Sequence, residues 1–130
     1  LATGVAGVHL GQEDMSIEHA RKLCGSQYII GATAHSTAQL NSAIRFGADY
    51  VGVGAMFAST TKPDASIASL GLLKNALANC HLAIGGVTPE NVSELYSIGC
   101  KGIAVSYAIA NSQSPETIVS ALLQQKAQFV

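Results

Sequence analysis

Apolar residues occur along this chain in five short, continuous runs rather than in strict alternation with polar residues. The runs cover residues 5–11, 28–34, 50–57, 81–87 and 102–108. Continuous apolar character is typical of strands that are covered on both faces, as in a parallel sheet. A stretch with helical periodicity follows each run, so the pattern predicts a βα unit that is repeated five times.

Residues that favour helix ends separate these runs. Ser16 precedes one helical stretch and Gly25 ends it, while Ser36 and Gln39 have the spacing of a capping box before a helix that Gly47 closes. Near the C-terminus, residues 88–90 (TPE) and 114–116 (SPE) each offer a capping hydroxyl, a proline and a carboxylate. This device places proline at the first helical position, so we expect helices to begin at these two prolines.

Five βα units fit two architectures. A doubly wound, flavodoxin-like α/β sheet needs five strands and about this length, whereas a (β/α)₈ barrel needs eight units and at least about 200 residues. The hydrophobic pattern alone favours the flavodoxin-like sheet, because five units complete it. In both architectures ligands bind at the carboxyl ends of the strands, so the residues found there bear on the choice.

Composition indicates one well-buried domain over residues 1–130, since 48% of the residues are hydrophobic and 12% are charged. Seven basic against eight acidic residues give no electrostatic footprint for nucleic acid or an anionic membrane. No apolar run approaches the roughly 18–20 residues that span a bilayer. Cys24, Cys80 and Cys100 lack CxxC spacing and are typical of buried thiols in a reducing compartment, so we expect a cytoplasmic protein.

Two adjacent acidic residues, Glu13 and Asp14, follow the first predicted strand. Such carboxylates suit Mg²⁺, which proteins hold through one or two carboxylates together with substrate phosphate. A structural alternative is that acidic residues at the start of a helix complement its dipole.

Polar groups suited to phosphate follow the later strands. Ser59, Thr60, Thr61 and Lys62 offer three hydroxyls and a positive charge, which suit a diphosphate, although an ordinary polar loop has a similar composition.

The fourth and fifth strands lead to Gly86 and Ser106, which are candidates for a shared phosphate site, as the last two strand ends of a barrel often form one. A Gly-Gly pair also occurs in ordinary tight turns. His35, just past the second strand, is a candidate proton carrier or simply a capping residue.

Taken in order, six segments resemble the thiamine phosphate synthase family. They lie at matching spacing across essentially the whole chain, and no single segment is decisive. The segments are residues 9–14 (HLGQED), 31–36 (GATAHS), 47–54 (GADYVGVG), 59–64 (STTKPD), 84–91 (IGGVTPEN) and 99–108 (GCKGIAVSYA). The resemblance implies a (β/α)₈ TIM barrel, of which this chain carries only the last five βα units.

The resemblance also implies a reaction and its residues. The family condenses hydroxymethylpyrimidine diphosphate with hydroxyethylthiazole phosphate to give thiamine phosphate and pyrophosphate, in a dissociative substitution that uses Mg²⁺. By resemblance, Asp14 would bind the Mg²⁺, and Lys62 would be the catalytic residue that bonds the departing diphosphate. The implied substrate-binding residues are Thr33, Ser59, Thr61, Lys62, Gly86 and Ser106.

Several positions depart from the family pattern. Ala55 and Ala58 replace prolines, and Ser69 replaces a glycine before its helix. Tyr107 stands where the family has a phosphate-binding serine, with Ser106 one residue earlier. If the fifth strand continues through these two residues, their side chains point to opposite faces, which puts the thiazole phosphate site in question.

The family's first three units have no counterpart here, and they supply a basic residue and an Asn-Asp pair to the site. At about 25 residues per unit, roughly 75–80 residues are missing, so we expect the isolated chain to be inactive. The expected partners are the two small-molecule substrates, and association of the full-length protein into a homo-oligomer stays open.

Two alternatives stay open. One is a thiazole tautomerase-like barrel of the same superfamily, which uses a histidine at the position of His35. The other is an inactive barrel remnant that acts as a binding module. A flavodoxin-like receiver is disfavoured, because residues 54–56 (GAM) at the end of the third strand offer no carboxylate to phosphorylate.

Overall fold

Five short strands form one parallel sheet in the order in which they occur along the chain. The structure is a computed structural model that describes residues 4–58, 64 and 66–129. The strands are β1 (Gly7–Leu10), β2 (Ile29–Ala34), β3 (Tyr50–Val53), β4 (His81–Ile84) and β5 (Ile103–Ala104). A flavodoxin-like sheet reverses its strand order at a switch point, whereas consecutive neighbours throughout are the arrangement of a (β/α)₈ barrel. The strand order therefore favours the barrel.

Helices connect the strands and continue beyond β5. They are α1 (Ile17–Cys24), α2 (Thr37–Arg45), α3 (Leu70–Ala76), α4 (Val92–Ser97), α5 (Tyr107–Ala110) and α6 (Pro115–Ala127). The hydroxyl groups of Ser16, Ser36 and Ser69 accept hydrogen bonds from main-chain N–H groups in the first turns of α1, α2 and α3. The first two caps were predicted, and the third explains why a serine serves at position 69. Among the described residues, no helix is long and apolar enough to cross a membrane.

One face of the sheet packs against the helices and forms the hydrophobic core. Val51, Val53 and Ala83 are almost completely buried on this face, together with Leu73 of α3 and Leu95 of α4. Residues that pair across parallel strands share a face, so the opposite, inner face carries the other set of strand side chains. Along the first three strands that inner set includes polar residues, which build the site described below.

Two predicted boundaries are wrong near the C-terminus. Helix α4 begins at Val92 rather than at Pro89, because the Asn91 side chain accepts a hydrogen bond from the Thr88 N–H (2.9 Å) and holds residues 88–91 as a turn. The Thr88 hydroxyl bonds the Glu90 carboxylate instead of capping the helix. Together with the Glu90 main-chain N–H, it lowers the pKa of that carboxyl group.

The fifth strand was predicted to run to residue 108 but ends at Ala104, and Tyr107 is already the first residue of α5. The alternation of side chains along a strand therefore does not apply to Ser106 and Tyr107. The cysteine prediction holds only for Cys100, where burial raises the pKa of the thiol, because Cys80 is exposed.

The amino-terminal edge of the sheet is tied together by an arginine and an aspartate. The Asp49 carboxylate accepts hydrogen bonds from the Ile30 N–H (2.7 Å) and the Arg21 guanidinium (2.6 Å). The same guanidinium donates to three main-chain carbonyls, those of Gly25, Tyr28 and Gly47. These bonds lower the pKa of Asp49, the Ile30 N–H first and Arg21 second. Groups at this end of a barrel serve stability rather than chemistry.

Replacing Asp49 with Asn is expected to lower the free energy of unfolding at pH 7 by about 1–2 kcal/mol, a value discounted because the side chain is 46% exposed and partly screened. Folding lowers the pKa of this carboxyl group, so its contribution is full above the ordinary aspartate pKa near 3.9 and is lost as pH falls through the lower folded value. Urea unfolding between pH 2 and 7 measures both effects.

Glu18→Gln is the matched control for this prediction, because it neutralises a carboxylate that only pairs with Lys22 on the exposed face of α1. It should change stability less than Asp49→Asn at pH 7. Equal effects of the two substitutions would show that the network at Asp49 contributes nothing beyond a surface ion pair.

Candidate functional site at the carboxyl edge

The inner face of the sheet carries a chain of three hydrogen-bonded side chains from three neighbouring strands. The His9 ring lies between Tyr50 and Thr33, with Nδ1 3.0 Å from the Tyr50 hydroxyl and Nε2 2.8 Å from the Thr33 hydroxyl. His9 pairs with Gly31 in the register of β1 and β2, and Gly31 pairs with Tyr50 in the register of β2 and β3. The three strands thus place one polar group each on the same surface.

Two glycines make room for this polar chain. A side-chain carbon at Gly31 would overlap the Tyr50 ring and lie 2.5 Å from His9 Nδ1. A carbon at Gly52 would lie 3.3 Å from the same imidazole. Glycine is required at position 31 for space rather than for backbone conformation, because the rings of His9 and Tyr50 meet directly over it.

The loop after β1 folds over the end of β2. Gln12 Nε2 donates to the Thr33 carbonyl oxygen at 2.5 Å, and the Asp14 carboxylate accepts from the Gly11 N–H at 2.7 Å. Thr33 is therefore held through its main chain by Gln12 and through its hydroxyl by His9. The sequence predicted Thr33 and Asp14 as site residues, and the structure brings their loops together at one edge of the sheet.

Asp14 does not cap the helix that follows it. Ser16 already accepts the hydrogen bond from the His19 N–H in the first turn of α1, and Asp14 bonds its own loop instead. The carboxylate is exposed at the carboxyl edge, which suits a ligand role better than a helix-dipole role. A cleft of about 540 Å³ adjoins this loop on the helix side of the sheet, between α1 and α2, and its lining does not include His9, Thr33 or Tyr50.

The donor set at Asp14 fits Mg²⁺ only as part of a shared coordination shell. The part of the chain that the structure describes holds no group of three or more His, Cys, Asp or Glu side chains able to bind a metal ion. Mg²⁺ usually keeps several waters and takes one or two carboxylates together with phosphate oxygens, so a single exposed carboxylate is compatible with it.

Gly86 lies in a turn that packs directly against the segment after β3. It has a φ of +65°, and a side-chain carbon there would come within 2.5 Å of the Phe57 carbonyl oxygen and 2.6 Å of that of Ala58. Asn91 Nδ2 donates to the Gly86 carbonyl at 2.9 Å and fixes the turn. The glycine is thus required by packing as well as by conformation, whatever it binds.

Gly86 and Ser106 follow two neighbouring strands, β4 and β5. Ile84 pairs with Ala104, and each of the two site residues follows its paired strand residue by two positions. Ser106 is the N-cap residue of α5, and both it and Tyr107 are exposed. The prediction that Gly86 and Ser106 lie near one another is compatible with this register.

The remaining predicted residues, Ser59, Thr61 and Lys62, lie outside the described residues. Ala58, whose carbonyl packs against Gly86, directly precedes Ser59 in the chain.

His35 lies just past β2 and is fixed by its neighbours. Its Nδ1 is 2.5 Å from the Gly54 carbonyl oxygen, and its main-chain N–H donates to the Gln39 side chain. A carbonyl oxygen only accepts, so Nδ1 carries the proton and Nε2 is the nitrogen with a free lone pair when the ring is neutral.

Sequence reasoning missed four residues that shape the site. His9 and Gln12 belong to a motif that was recognised, but only its carboxylates were assigned a role. Tyr50 was assigned only to a strand. Asn91 was assigned no role beyond its place at the end of the segment of residues 84–91. His9 and Tyr50 could have been identified as site residues only from their position on the inner face of β1 and β3. That position depends on the strand register, which the sequence does not show.

Parallel strands in sequential order, with ligand-type groups gathered at their carboxyl edge, define part of a (β/α)₈ barrel that binds its ligands at that edge. A sequence profile of the thiamine monophosphate synthase family matches residues 1–109. The chain belongs to this family.

Individual relatives agree with this assignment. The chain is 41% identical over 126 residues to the thiamine-phosphate synthase of Synechococcus sp. (strain WH7803), covering 95% of this chain and 36% of that protein. It is 42% identical over 125 residues to the thiamine-phosphate synthase of Nitrosococcus oceani, covering 93% of this chain and 58% of the relative. The chain thus spans well under two thirds of the length of either relative.

Solved structures support the same fold. Thiamine phosphate pyrophosphorylase from Pyrococcus furiosus superposes with a TM-score of 0.87 at 31% identity, covering 99% of this chain and 63% of that one. 3-Hexulose-6-phosphate synthase from Salmonella typhimurium superposes with a TM-score of 0.71 at 17% identity, covering 99% of this chain and 65% of that one, which shows the shared fold alone.

Proposed function

We propose that this chain forms the C-terminal part, the last five βα units, of a cytoplasmic thiamine phosphate synthase. Such an enzyme condenses hydroxymethylpyrimidine diphosphate with hydroxyethylthiazole phosphate and releases pyrophosphate. The observation that carries the proposal is the convergence on Thr33 of His9 from β1 and Gln12 from the loop after β1, which also carries the exposed Asp14 carboxylate. A hydroxyl and a carboxylate gathered at one edge of the sheet, in a chain that belongs to the family, support the binding of a diphosphate with its cation there.

The pyrimidine diphosphate end of the site is built by three residues in this proposal. Asp14 would hold Mg²⁺, which when bound would supply positive charge against the diphosphate leaving group. Thr33 donates its hydroxyl hydrogen to a diphosphate oxygen. Lys62 bonds the departing diphosphate and is the catalytic side chain, because its ammonium group opposes the charge that develops there.

The thiazole phosphate end uses the loops after β3, β4 and β5. Ser59 and Thr61 offer hydroxyls, Gly86 offers its main chain in the turn that Asn91 fixes, and Ser106 follows β5, the strand that pairs with β4. In a dissociative substitution there is little covalent chemistry for side chains to perform. Holding the nucleophile in line and stabilising the leaving group therefore account for most of the rate.

The test is product formation by the polypeptide as its natural gene encodes it, because the whole activity belongs to a protein longer than this chain in its relatives. Purified protein with Mg²⁺ and both substrates should yield thiamine phosphate and an equal amount of pyrophosphate, and EDTA should stop the reaction. The 130-residue chain alone is expected to be inactive. Pyrophosphate release without thiamine phosphate, or no turnover by the natural polypeptide, would contradict the proposal.

A thiazole tautomerase-like activity is the second candidate, and the geometry of His35 favours it. The Gly54 carbonyl fixes the proton on Nδ1, so Nε2 is oriented as a base for moving a proton on a thiazole carboxylate substrate. A tautomerase needs no metal carboxylate. Retention or loss of activity when Asp14 is neutralised therefore separates the two candidates.

A further inference from the structure

The His9 ring bridges two hydroxyl groups that have different chemistry. A neutral imidazole has one N–H donor and one acceptor nitrogen, so of its two hydroxyl neighbours one must donate to the ring and the other must accept from it. Tyr50 lies at Nδ1 and Thr33 at Nε2, at 3.0 and 2.8 Å. The direction of this hydrogen-bonded chain decides what the Thr33 hydroxyl can offer to a ligand.

The phenol of Tyr50 is a stronger acid than the alcohol of Thr33 and is therefore the better donor to the acceptor nitrogen. With Tyr50 donating to Nδ1, the proton of the ring is on Nε2, and Nε2–H donates to the Thr33 oxygen. The Thr33 hydroxyl then accepts from His9 and keeps its own hydrogen for another partner. That hydrogen points away from the imidazole.

Thr33 is held in place for such a role by contacts other than His9. Gln12 bonds its carbonyl oxygen, and β2 pairs with strands on both sides, so the main chain is fixed. Thr33 is half-buried on the inner face of the sheet, next to the loop that carries Asp14. The space over Gly31 lets the two rings meet without displacing β2.

We propose that Tyr50 and His9 are positioning residues that orient the Thr33 hydroxyl as a hydrogen-bond donor to an anionic phosphate oxygen at the carboxyl edge. The identity of that ligand as a diphosphate rests on the proposed function, whereas the direction of the hydrogen-bonded chain does not. Neither Tyr50 nor His9 touches the ligand in this arrangement. They act by excluding the opposite orientation, in which the Thr33 hydroxyl would donate its hydrogen to His9 and present only a lone pair to the ligand.

Tyr50→Phe is the test, because it removes one oxygen atom and keeps the ring that packs against His9. In the natural polypeptide, ¹⁵N NMR of the His9 ring should show the proton on Nε2, and Tyr50→Phe should yield a mixture of both tautomers. Affinity for inorganic pyrophosphate in the presence of Mg²⁺, measured by calorimetry, should fall about three- to tenfold. Tyr28→Phe, just before the opposite end of β2, should change neither quantity.

A second variant protects the test against a folding defect. His9→Gln carries an amide that can accept from Tyr50 and donate to Thr33, so it should retain pyrophosphate affinity better than His9→Ala. A proton on Nδ1 in the unsubstituted protein, or unchanged tautomer and affinity in Tyr50→Phe, would overturn the inference even if thiamine phosphate is formed. A proton on Nε2 in a protein that makes no thiamine phosphate would instead support the orientation and reject the proposed reaction.

Discussion

Asp14→Asn is expected to lower kcat/KM for thiamine phosphate formation by about 100-fold or more in the natural polypeptide. Loss of a metal-binding carboxylate removes several kcal/mol of transition-state stabilisation, and each 1.36 kcal/mol is tenfold in rate. The substitution is nearly isosteric, and the amide oxygen can still accept from the Gly11 N–H, so the β1 loop should keep its shape. Steady-state kinetics across a range of Mg²⁺ concentrations measures the effect.

Glu13→Gln is the control for Asp14→Asn. It removes an equal charge one residue earlier, from an exposed carboxylate that the family resemblance leaves without a role. It should change kcat/KM only slightly and leave the dependence on Mg²⁺ as it is. Equal losses in the two variants would mean that the loop contributes general negative charge rather than a ligand.

The same variant distinguishes the two candidate functions. A synthase should lose its activity with Asp14→Asn, whereas a tautomerase that depends on Nε2 of His35 should keep most of its own. Proton exchange on the thiazole substrate, followed by NMR, reports the second activity independently of the first.

Helix boundaries were predictable from the sequence where a short side chain caps its own helix. Ser16 and Ser36 do this, since each accepts a hydrogen bond from the N–H group three residues further along the chain. Thr88 shows where such local reasoning fails. The side chain of Asn91, three residues later, accepts a hydrogen bond from the Thr88 N–H, and the helix begins only at Val92. The sequence of residues 88–91 (TPEN) is compatible with a helix that begins at Pro89 and with one that begins at Val92. Only the geometry of the turn distinguishes the two.

The fold class could be predicted only with the family resemblance, because the hydrophobic pattern gives the number of strands but not their order in the sheet. The pattern placed all five strands correctly but made most of them too long at the carboxyl end. The apolar or small residues beyond Val53 and Ala104, for example, pack against neighbouring segments without joining the ladder. At this edge of the barrel the packed loop residues are as apolar as the strand residues, so composition does not show where a strand ends.

The site was predictable only in part, for a related reason. The motif from His9 to Asp14 indicated a functional loop, and its carboxylate was identified from chemistry. The partnership of His9 with residues 24 and 41 positions away depends on the register of β1, β2 and β3. A shift of one residue in any of these strands would place the polar groups among the helices, so no local pattern reveals the arrangement.

Gly86→Ala is expected to lower the free energy of unfolding by about 2–5 kcal/mol. A left-handed backbone costs a residue with a side chain about 1–2 kcal/mol, and the added carbon overlaps the Phe57 and Ala58 carbonyl oxygens, which costs about 1–3 kcal/mol more. Both oxygens belong to the main chain and cannot rotate away. The segment after β3 must therefore shift. Because Gly86 is also proposed to bind the thiazole phosphate through its main chain, KM for thiazole phosphate should rise as well.

Gly71→Ala is the matched control, because it adds the same carbon to a glycine inside α3. That carbon would meet only the Ser69 side chain, at 3.5 Å, and the helical backbone accepts alanine. Stability should therefore rise by about 0.5–1 kcal/mol, since glycine loses more freedom than alanine on folding. Urea unfolding of both variants measures the contrast. If Gly86→Ala were as stable as the unsubstituted protein, the turn after β4 could not be packed against residues 57 and 58 as described, and Gly86 would be needed for ligand binding alone.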